Sequence, residues 1–429
     1  MPASLLEQLD QLKGDFSPQA ARKAEQLLKE STRRSMRDTG EWIHLHETLL
    51  FFRAYPQNQR VLDLSERLLG GFGRRLKDAD REAFEDPEIS GVSGTGLTTN
   101  FSHPFALSLA KRHGGSITID WESYENPERL GRTLAVLIPE AFEDWAIASH
   151  PDWQRWFKKA HGTARWLIER VDPATYDLLE VPLRWEFGKN RASRTLTRIP
   201  RKRFFFHTGA LLARRDISLE AEFAKPALHV RKLTLRAAQR IIDIIIDASA
   251  CRYRELYGFL YPDVANVFHC DFGRGMDFYF FRVPSGWRLP SREYCAGMYF
   301  KNGVPVGYVE VIWTKGVMEV GFNLYYTFRQ GETAWLYAQL LKLFRERFKL
   351  HTFTIDPYQI GHENDEAIES GAFWFYYKLG FRPRSRKVAA LAREEAGRIA
   401  VDATHRTRPA VLRKLAAGTM EYRVPNRRD

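Results

Sequence analysis

The sequence predicts an α+β protein, with a mainly helical N-terminal region followed by a mixed sheet flanked by helices. Three observations carry this. Apolar residues in the first 80 positions recur at helical spacing, as in Ala20, Ala24, Leu27 and Leu28. From Phe268 onward the pattern changes to alternating and aromatic segments bounded by turn residues. The last of the central strands then runs through a glycine-containing turn into a helix rich in apolar residues.

At 429 residues the chain is too long for one ordinary core, and ~150 residues per domain suggests two or three. The expected division is a helical bundle over 1–85, a mixed accessory region over 86–230, a sheet domain over 231–390 and a basic tail over 391–429. With 44% hydrophobic residues the chain is no disordered tail. Its apolar runs are cut by charges, as in Ile241-Ile242-Asp243-Ile244-Ile245-Ile246-Asp247, and acids stand near the N-terminus. No membrane span or export signal is expected. Cys251, Cys270 and Cys295 are odd in number and lack CxxC spacing, which points to a reducing, cytoplasmic compartment without a disulfide framework.

Lys and Arg total 65 and Asp and Glu 53, a net charge of +12. Two segments carry the excess: 184–216 with ten basic and two acidic residues, and 382–429 with thirteen and five. Such segments suit an anionic cofactor, nucleic acid or lipid heads, or are simply solvated faces.

In order, Ser17-Pro18 caps a first long helix, a second runs through Trp42, Leu45, Leu49 and Phe52 to Pro56, and a third through Val61, Leu62, Leu68 and Leu69 to Gly70-Gly71. A Gly/Ser/Thr-rich loop follows, then a strand at Ser116–Trp121 and helices over 140–170 with Trp145, Trp153, Trp156 and Trp166. The glycines of Gly91-Val92-Ser93-Gly94-Thr95-Gly96 lack the preceding strand and following Lys-Ser/Thr of a phosphate loop. His44-Leu45-His46-Glu47 puts its histidines on different sides of a helix, so no metal site is expected. Arg201-Lys202-Arg203 abuts Phe204-Phe205-Phe206 and could grip nucleic acid by phosphate contact and stacking, but RNP-type and zinc-finger spacings are missing, so that partner is not favoured. Leu233–Leu256 fits a helix.

Three strands are expected at Glu293–Phe300, Val304–Trp313 and Val317–Phe328, joined by Lys301-Asn302-Gly303 and Lys315-Gly316. If Lys315 and Gly316 form a two-residue loop, Trp313 faces Met318, Ile312 faces Glu319 and Glu310 faces Gly321. One hairpin face then holds Val309, Val311, Trp313, Met318, Val320, Phe322 and Leu324. The other holds Tyr308, Glu310, Ile312, Glu319, Gly321, Asn323 and Tyr325. Glu310 and Glu319 become diagonal neighbours, roughly 7–8 Å apart. Partial desolvation of such a pair prepares a general base; two solvated glutamates are the plain alternative.

The third strand leads into Tyr326-Thr327-Phe328-Arg329-Gln330-Gly331-Glu332-Thr333-Ala334 and a helix carrying Tyr337, Leu341, Phe344 and Phe348. Strand, turn and helix N-terminus together offer amides and a positive dipole end to phosphate oxygens. A strand at His351–Ile355 stops at Asp356-Pro357, and a polar loop precedes Ala372-Phe373-Trp374-Phe375-Tyr376-Tyr377-Lys378-Leu379-Gly380-Phe381.

On the stretches Leu324–Ala334 and Ala372–Phe381, residues 260–385 resemble the GNAT superfamily of N-acetyltransferases. Leu324–Ala334 is similar to that family's pyrophosphate loop, with Arg329 and Ala334 at its ends, Glu332 at the inner glycine position and Gly331 one place early. Ala372–Phe381 is similar to its Ala-x-x-x-Tyr-x-Lys-Leu-Gly-Phe segment, with Tyr376 at the tyrosine. The resemblance implies a sheet whose fourth and fifth strands splay to admit pantetheine, often aided by a bulge, and direct attack of an amine on acetyl-CoA or another acyl-CoA. It further implies that the backbone of Gln330, Gly331, Glu332, Thr333 and Ala334 holds the pyrophosphate, that the main chain near Leu324 and Tyr325 binds the thioester carbonyl, that Glu319 or Glu310 is the base, and that Tyr376 protonates the thiolate. Either the Glu332 side chain points outward, leaving its amide to the phosphate, or this loop no longer binds CoA.

The amine acceptor is not indicated. The first 260 residues are expected to supply acceptor recognition or homodimer formation. Two alternatives remain: a Fem-like aminoacyl or peptidyl transferase using charged tRNA, and a non-catalytic GNAT fold binding protein or RNA.

Overall fold

The computed structural model describes residues 4–87, 89–125, 127–147, 153–188, 192–402 and 404–425. They group into two compact units, one of Met1–Lys13, Pro18–Pro200 and Gln239–Tyr261, the other of Gly14–Ser17, Arg201–Ala238 and Pro262–Asp429. This corrects the four-part division expected from the sequence. The basic segment 184–216 is shared between units, and the Leu235–Ala250 helix passes from one unit into the other at Gln239.

The first unit begins with the expected bundle, in helices Leu5–Gln11, Pro18–Arg33, Thr39–Ala54 and Gln59–Gly70. Asp38 and Asn58 cap the third and fourth by accepting the amides of Glu41 and Val61, which satisfies first-turn donors. Leu28, Leu45, Leu49, Phe52 and Val61 are buried between them. The unit also holds a three-stranded antiparallel sheet of β1 (Gly96–Thr99), β2 (Ile117–Ile119) and β3 (Leu183–Glu186), with β3 central. The glycine-rich loop before β1 is a packing device. Gly91 has φ 81°, and a Cβ there would lie 2.1 Å from the Cys251 carbonyl oxygen. Trp156 is buried, while the Trp145 and Trp153 side chains lie outside what is described.

The second unit is built on a nine-stranded sheet in the order β11-β12-β10-β9-β8-β7-β6-β5-β4. Its strands are β4 (Val230–Lys232), β5 (Val267–Gly273), β6 (Met276–Arg282), β7 (Glu293–Lys301), β8 (Val304–Thr314), β9 (Val317–Leu324), β10 (Thr352–Ile355), β11 (Arg382–Pro383) and β12 (Met420–Arg423). Strands β4 to β9 form an antiparallel meander, and β10 joins β9 in parallel after the Thr333–Phe348 helix. A parallel return needs such a crossover. Tyr337, Leu341 and Phe344 on that helix are fully buried, and Phe348 stacks on Trp313 at 4.4 Å.

The sequence-derived β8–β9 register holds at every pair, from Gly307 opposite Leu324 to Thr314 opposite Val317. Lys315 (φ 47°) and Gly316 (φ 79°) make the two-residue turn that the right-handed strand twist favours. All seven apolar-face residues are buried. The third strand, however, ends at Leu324 rather than Phe328, because the chain turns through a short 3-10 helix at Tyr326–Phe328.

The expected basic tail over 391–429 is also corrected. Helix Pro409–Leu415 and β12 fall within it, and β12 pairs antiparallel with both β10 and β11. Buried Met420 anchors it; the surrounding charge hides a strand of four residues. The Gly316 turn stands at the foot of β10, its carbonyl accepting the His351 and Thr352 amides at 3.0 and 3.2 Å. A Cβ at Gly316 would sit 2.4 Å from the His351 ring. Gly316→Ala is therefore expected to cost roughly 1–3 kcal/mol in chemical denaturation; an unchanged midpoint would show that the turn does not fix this corner.

Candidate functional site

The sheet opens between β9 and β10. Val317, Met318 and Glu319 face Thr352, Phe353 and Thr354, and there the pairing stops. Beyond it β10 ends at Ile355, while β9 continues unpaired on that side through Leu324. Backbone groups alternate sides along a strand. The Tyr325 amide donates to the Val306 carbonyl at 3.0 Å, toward β8, so the Leu324 and Phe322 amides face the opening. Of the two main-chain positions expected to bind a thioester carbonyl, Leu324 presents its amide to the gap and Tyr325 has already spent its own.

The mouth of the gap is formed by the turn after β9. Gly331 donates to the Phe328 carbonyl at 2.9 Å, and the first bond of the following helix runs from the Leu336 amide to the Glu332 carbonyl at 2.9 Å. The amides of Thr333, Ala334 and Trp335 therefore have no acceptor inside the helix, whose positive end they mark. Arg329 crosses this region, its Nε on the Leu324 carbonyl at 3.3 Å and its Nη2 on Glu366 at 2.6 Å. The register irregularity of this part of the sheet lies between β7 and β8 at Tyr299/Phe300, not beside the opening where a bulge is expected.

Glu332 takes a path the sequence did not suggest. Its side chain neither points outward nor caps the helix; it is buried beneath the turn. There it accepts the Leu212 amide at 3.1 Å and a two-pronged contact from Arg274, whose Nε lies at 3.0 Å. Lys301 Nζ stands 4.0 Å away and is fully buried, donating to the Arg274 carbonyl at 2.6 Å and meeting His207 Nε2 at 2.9 Å. Burial pushes Lys301 down to about 7, with Glu332 opposing that shift. Burial, helped by Lys301 and Arg274, pushes His207 down to about 3. The Glu332 carboxylate is thus matched by cations on its own side of the loop, and its charge is directed away from the free amides.

Sequence reasoning missed this cluster. Lys301 stood next to an Asn-Gly turn signal, and no spacing rule links it to residues 207, 274 and 332. The Arg201–Phe206 segment is likewise used internally: Arg201 pairs with Asp277, and the Phe205 backbone exchanges two 2.9 Å hydrogen bonds with the Asn302 side chain. Lys202 and Arg203 stay exposed.

On the polar sheet face, Glu310 and Glu319 occupy the diagonal positions their register requires. Glu310 accepts the Tyr294 hydroxyl at 2.5 Å. Glu319 is solvent-accessible at the last paired position before the gap, yet partial burial and Asp356 at the end of β10 hold its carboxyl above the ordinary value. Asn323 donates to the Tyr308 hydroxyl at 3.1 Å on the same face.

Tyr376 lies on the other face, in the Ala372–Lys378 helix. It is buried, 5.6 Å from Tyr337 and 5.8 Å from Phe381 by ring centroids, and burial raises its hydroxyl pKa well above the usual phenol. Tyr337 and Tyr299 pack on Phe322 of β9 at 5.0 and 5.7 Å, and their buried hydroxyls lack hydrogen-bond partners among the described residues.

Among the described residues no group of His, Cys, Asp and Glu could hold a metal ion, and no helix is long and apolar enough to cross a membrane. No known protein family, curated protein or solved structure matches this chain.

Proposed function

We propose that the chain is an acyl-CoA-dependent N-acyltransferase of the GNAT type. The observation that carries this reading is the opening between β9 and β10, with main-chain amides along one wall and a helix N-terminus at its mouth. An opening of that kind accepts a slender chain such as pantetheine, whose amides can continue the interrupted ladder. The adjoining amides of Thr333 and Ala334 suit a pyrophosphate.

In this reading the Leu324 amide polarises the thioester carbonyl and stabilises the oxyanion. Arg329, which now holds the Leu324 carbonyl and Glu366, must yield one contact as the cofactor enters. Glu319 removes a proton from the acceptor ammonium, whose ordinary pKa is near ~10.4. The amine nitrogen bonds to the carbonyl carbon, the C–S bond breaks, and the second proton that the nitrogen sheds reaches the departing thiolate by way of Tyr376, which burial keeps protonated at the start and end of the transfer. The first unit, whose described sheet has three antiparallel strands, offers no second copy of the meander and opening. That weighs against a transferase of two related domains acting on charged tRNA.

The test is thermal stabilisation of the full chain by acetyl-CoA, CoA and a single-stranded RNA. Ligand at about 100 times its Kd should stabilise by ~2.7 kcal/mol. Shifts with both thioester and thiol are expected; a shift with RNA alone would replace the enzyme by a binding module.

A further inference from the structure

We infer that a basic, aromatic cavity on the Ala372–Lys378 helix seats the 3′-phosphoadenosine end of the cofactor, a deepening that rests on the acyl-CoA reading. The cavity encloses about 490 Å³ and is bounded by Arg214, Trp374, Phe375, Lys378, Ile399 and Arg406. That volume lies in the range of small-ligand sites.

Its composition fits an aromatic group carrying negative charge. Trp374 is held in place by its indole N–H, which donates to the Thr407 hydroxyl at 3.1 Å. Its ring and that of Phe375 supply flat apolar surface of the sort on which a purine stacks. Arg214 donates through Nη1 to the Lys378 carbonyl at 2.9 Å, which brings both cations to one rim. Neither is ion-paired among the described residues. Glu395, whose partner His405 lines the cavity, is committed to His405 at 3.1 Å and Arg398 at 2.6 Å. A phosphate would therefore meet cations whose charge is not already neutralised.

Position makes the case specific. Leu212, two residues before Arg214, gives its amide to Glu332 at the helix N-terminus. Two residues span at most ~7 Å of chain, so the segment that carries Arg214 also touches the Glu332 side chain beneath the turn. Phe375 reaches the same helix through Tyr337, with ring centroids 6.0 Å apart. In CoA the pyrophosphate is attached directly to the adenosine ribose that bears the 3′-phosphate. A pyrophosphate on the amides of that helix N-terminus would direct the nucleoside toward the segment and helix that line this cavity.

The experiment compares CoA with dephospho-CoA, which lacks only the 3′-phosphate, by calorimetric titration of the full chain. CoA is expected to bind about tenfold more tightly, the effect of one charge-assisted contact. Lys378→Ala should reduce that preference to about twofold or less, and Lys378→Arg should keep it. Since Lys378 is exposed, neither substitution threatens folding. Equal affinities in the unaltered protein overturn the subsite and leave the acyltransferase reading standing. Failure of both ligands to bind overturns the two together.

Discussion

Glu319→Gln is expected to lower turnover about 10²- to 10⁴-fold while leaving acetyl-CoA affinity within about twofold, the signature of a lost general base. The carboxylate stands at the last β9 position paired with β10, where the sheet begins to open. Its pKa is raised by burial first and by Asp356 second, so it has more affinity for a proton than an ordinary glutamate. The sign of the pH effect follows. The base works deprotonated, so turnover should rise as pH increases through the raised pKa, and that acid limb should vanish in the Gln variant. Glu310, tied to the Tyr294 hydroxyl, is less available, and Glu310→Gln should cost markedly less. An unchanged rate in Glu319→Gln would remove it from the mechanism, whatever the CoA titrations show.

The residues of this prediction are legible in the sequence alone, and the reason is local. A Lys-Gly turn with both residues at positive φ fixes the hairpin register, and a period of two then decides every face. Opening the sheet is a different matter. It depends on where β10 stops, and Asp356-Pro357 marks that in the sequence: Asp356 caps a turn by accepting the Tyr358 amide at 2.8 Å, and proline cannot continue the ladder. The strand β12 was not legible, since four residues with Met420 alone fully buried give no period to detect. Nor was the partner of Glu332. An isolated sequence shows a carboxylate at a helix start, where the dipole favours it; only long-range folding brings Arg274, Lys301 and His207 beneath it. Buried ionic groups are chosen by contacts tens of residues apart, and hydrophobic periodicity carries no trace of them.

That buried cluster supports the second large effect. Lys301 ionises near 7 in the folded chain against 10.5 as a free side chain, and His207 near 3 against 6.5. Both are cationic acids with depressed values, so the unfolded chain binds more protons between the paired values, and stability increases with pH there. For Lys301 the burden is fully present below about pH 7 and is relieved as pH climbs toward 10.5; for His207 it grows as pH falls from 6.5 toward 3. Urea denaturation monitored on the second unit should show its stability climbing from pH 5 to pH 9, and Lys301→Met should flatten the part above pH 7. Glu332→Ala acts in the opposite sense. It leaves Arg274 and the Leu212 amide without their shared acceptor and Lys301 without its nearby opposite charge, and should cost about 3–5 kcal/mol at pH 7. Because Glu332 also fixes the turn whose amides face the opening, CoA affinity should fall in that variant even at temperatures where it remains folded. If Glu332→Ala retained both stability and CoA affinity, the cluster would be incidental to the cradle above it. The loop's charge, which in the bare sequence argued against phosphate, would then need another explanation than neutralisation from below.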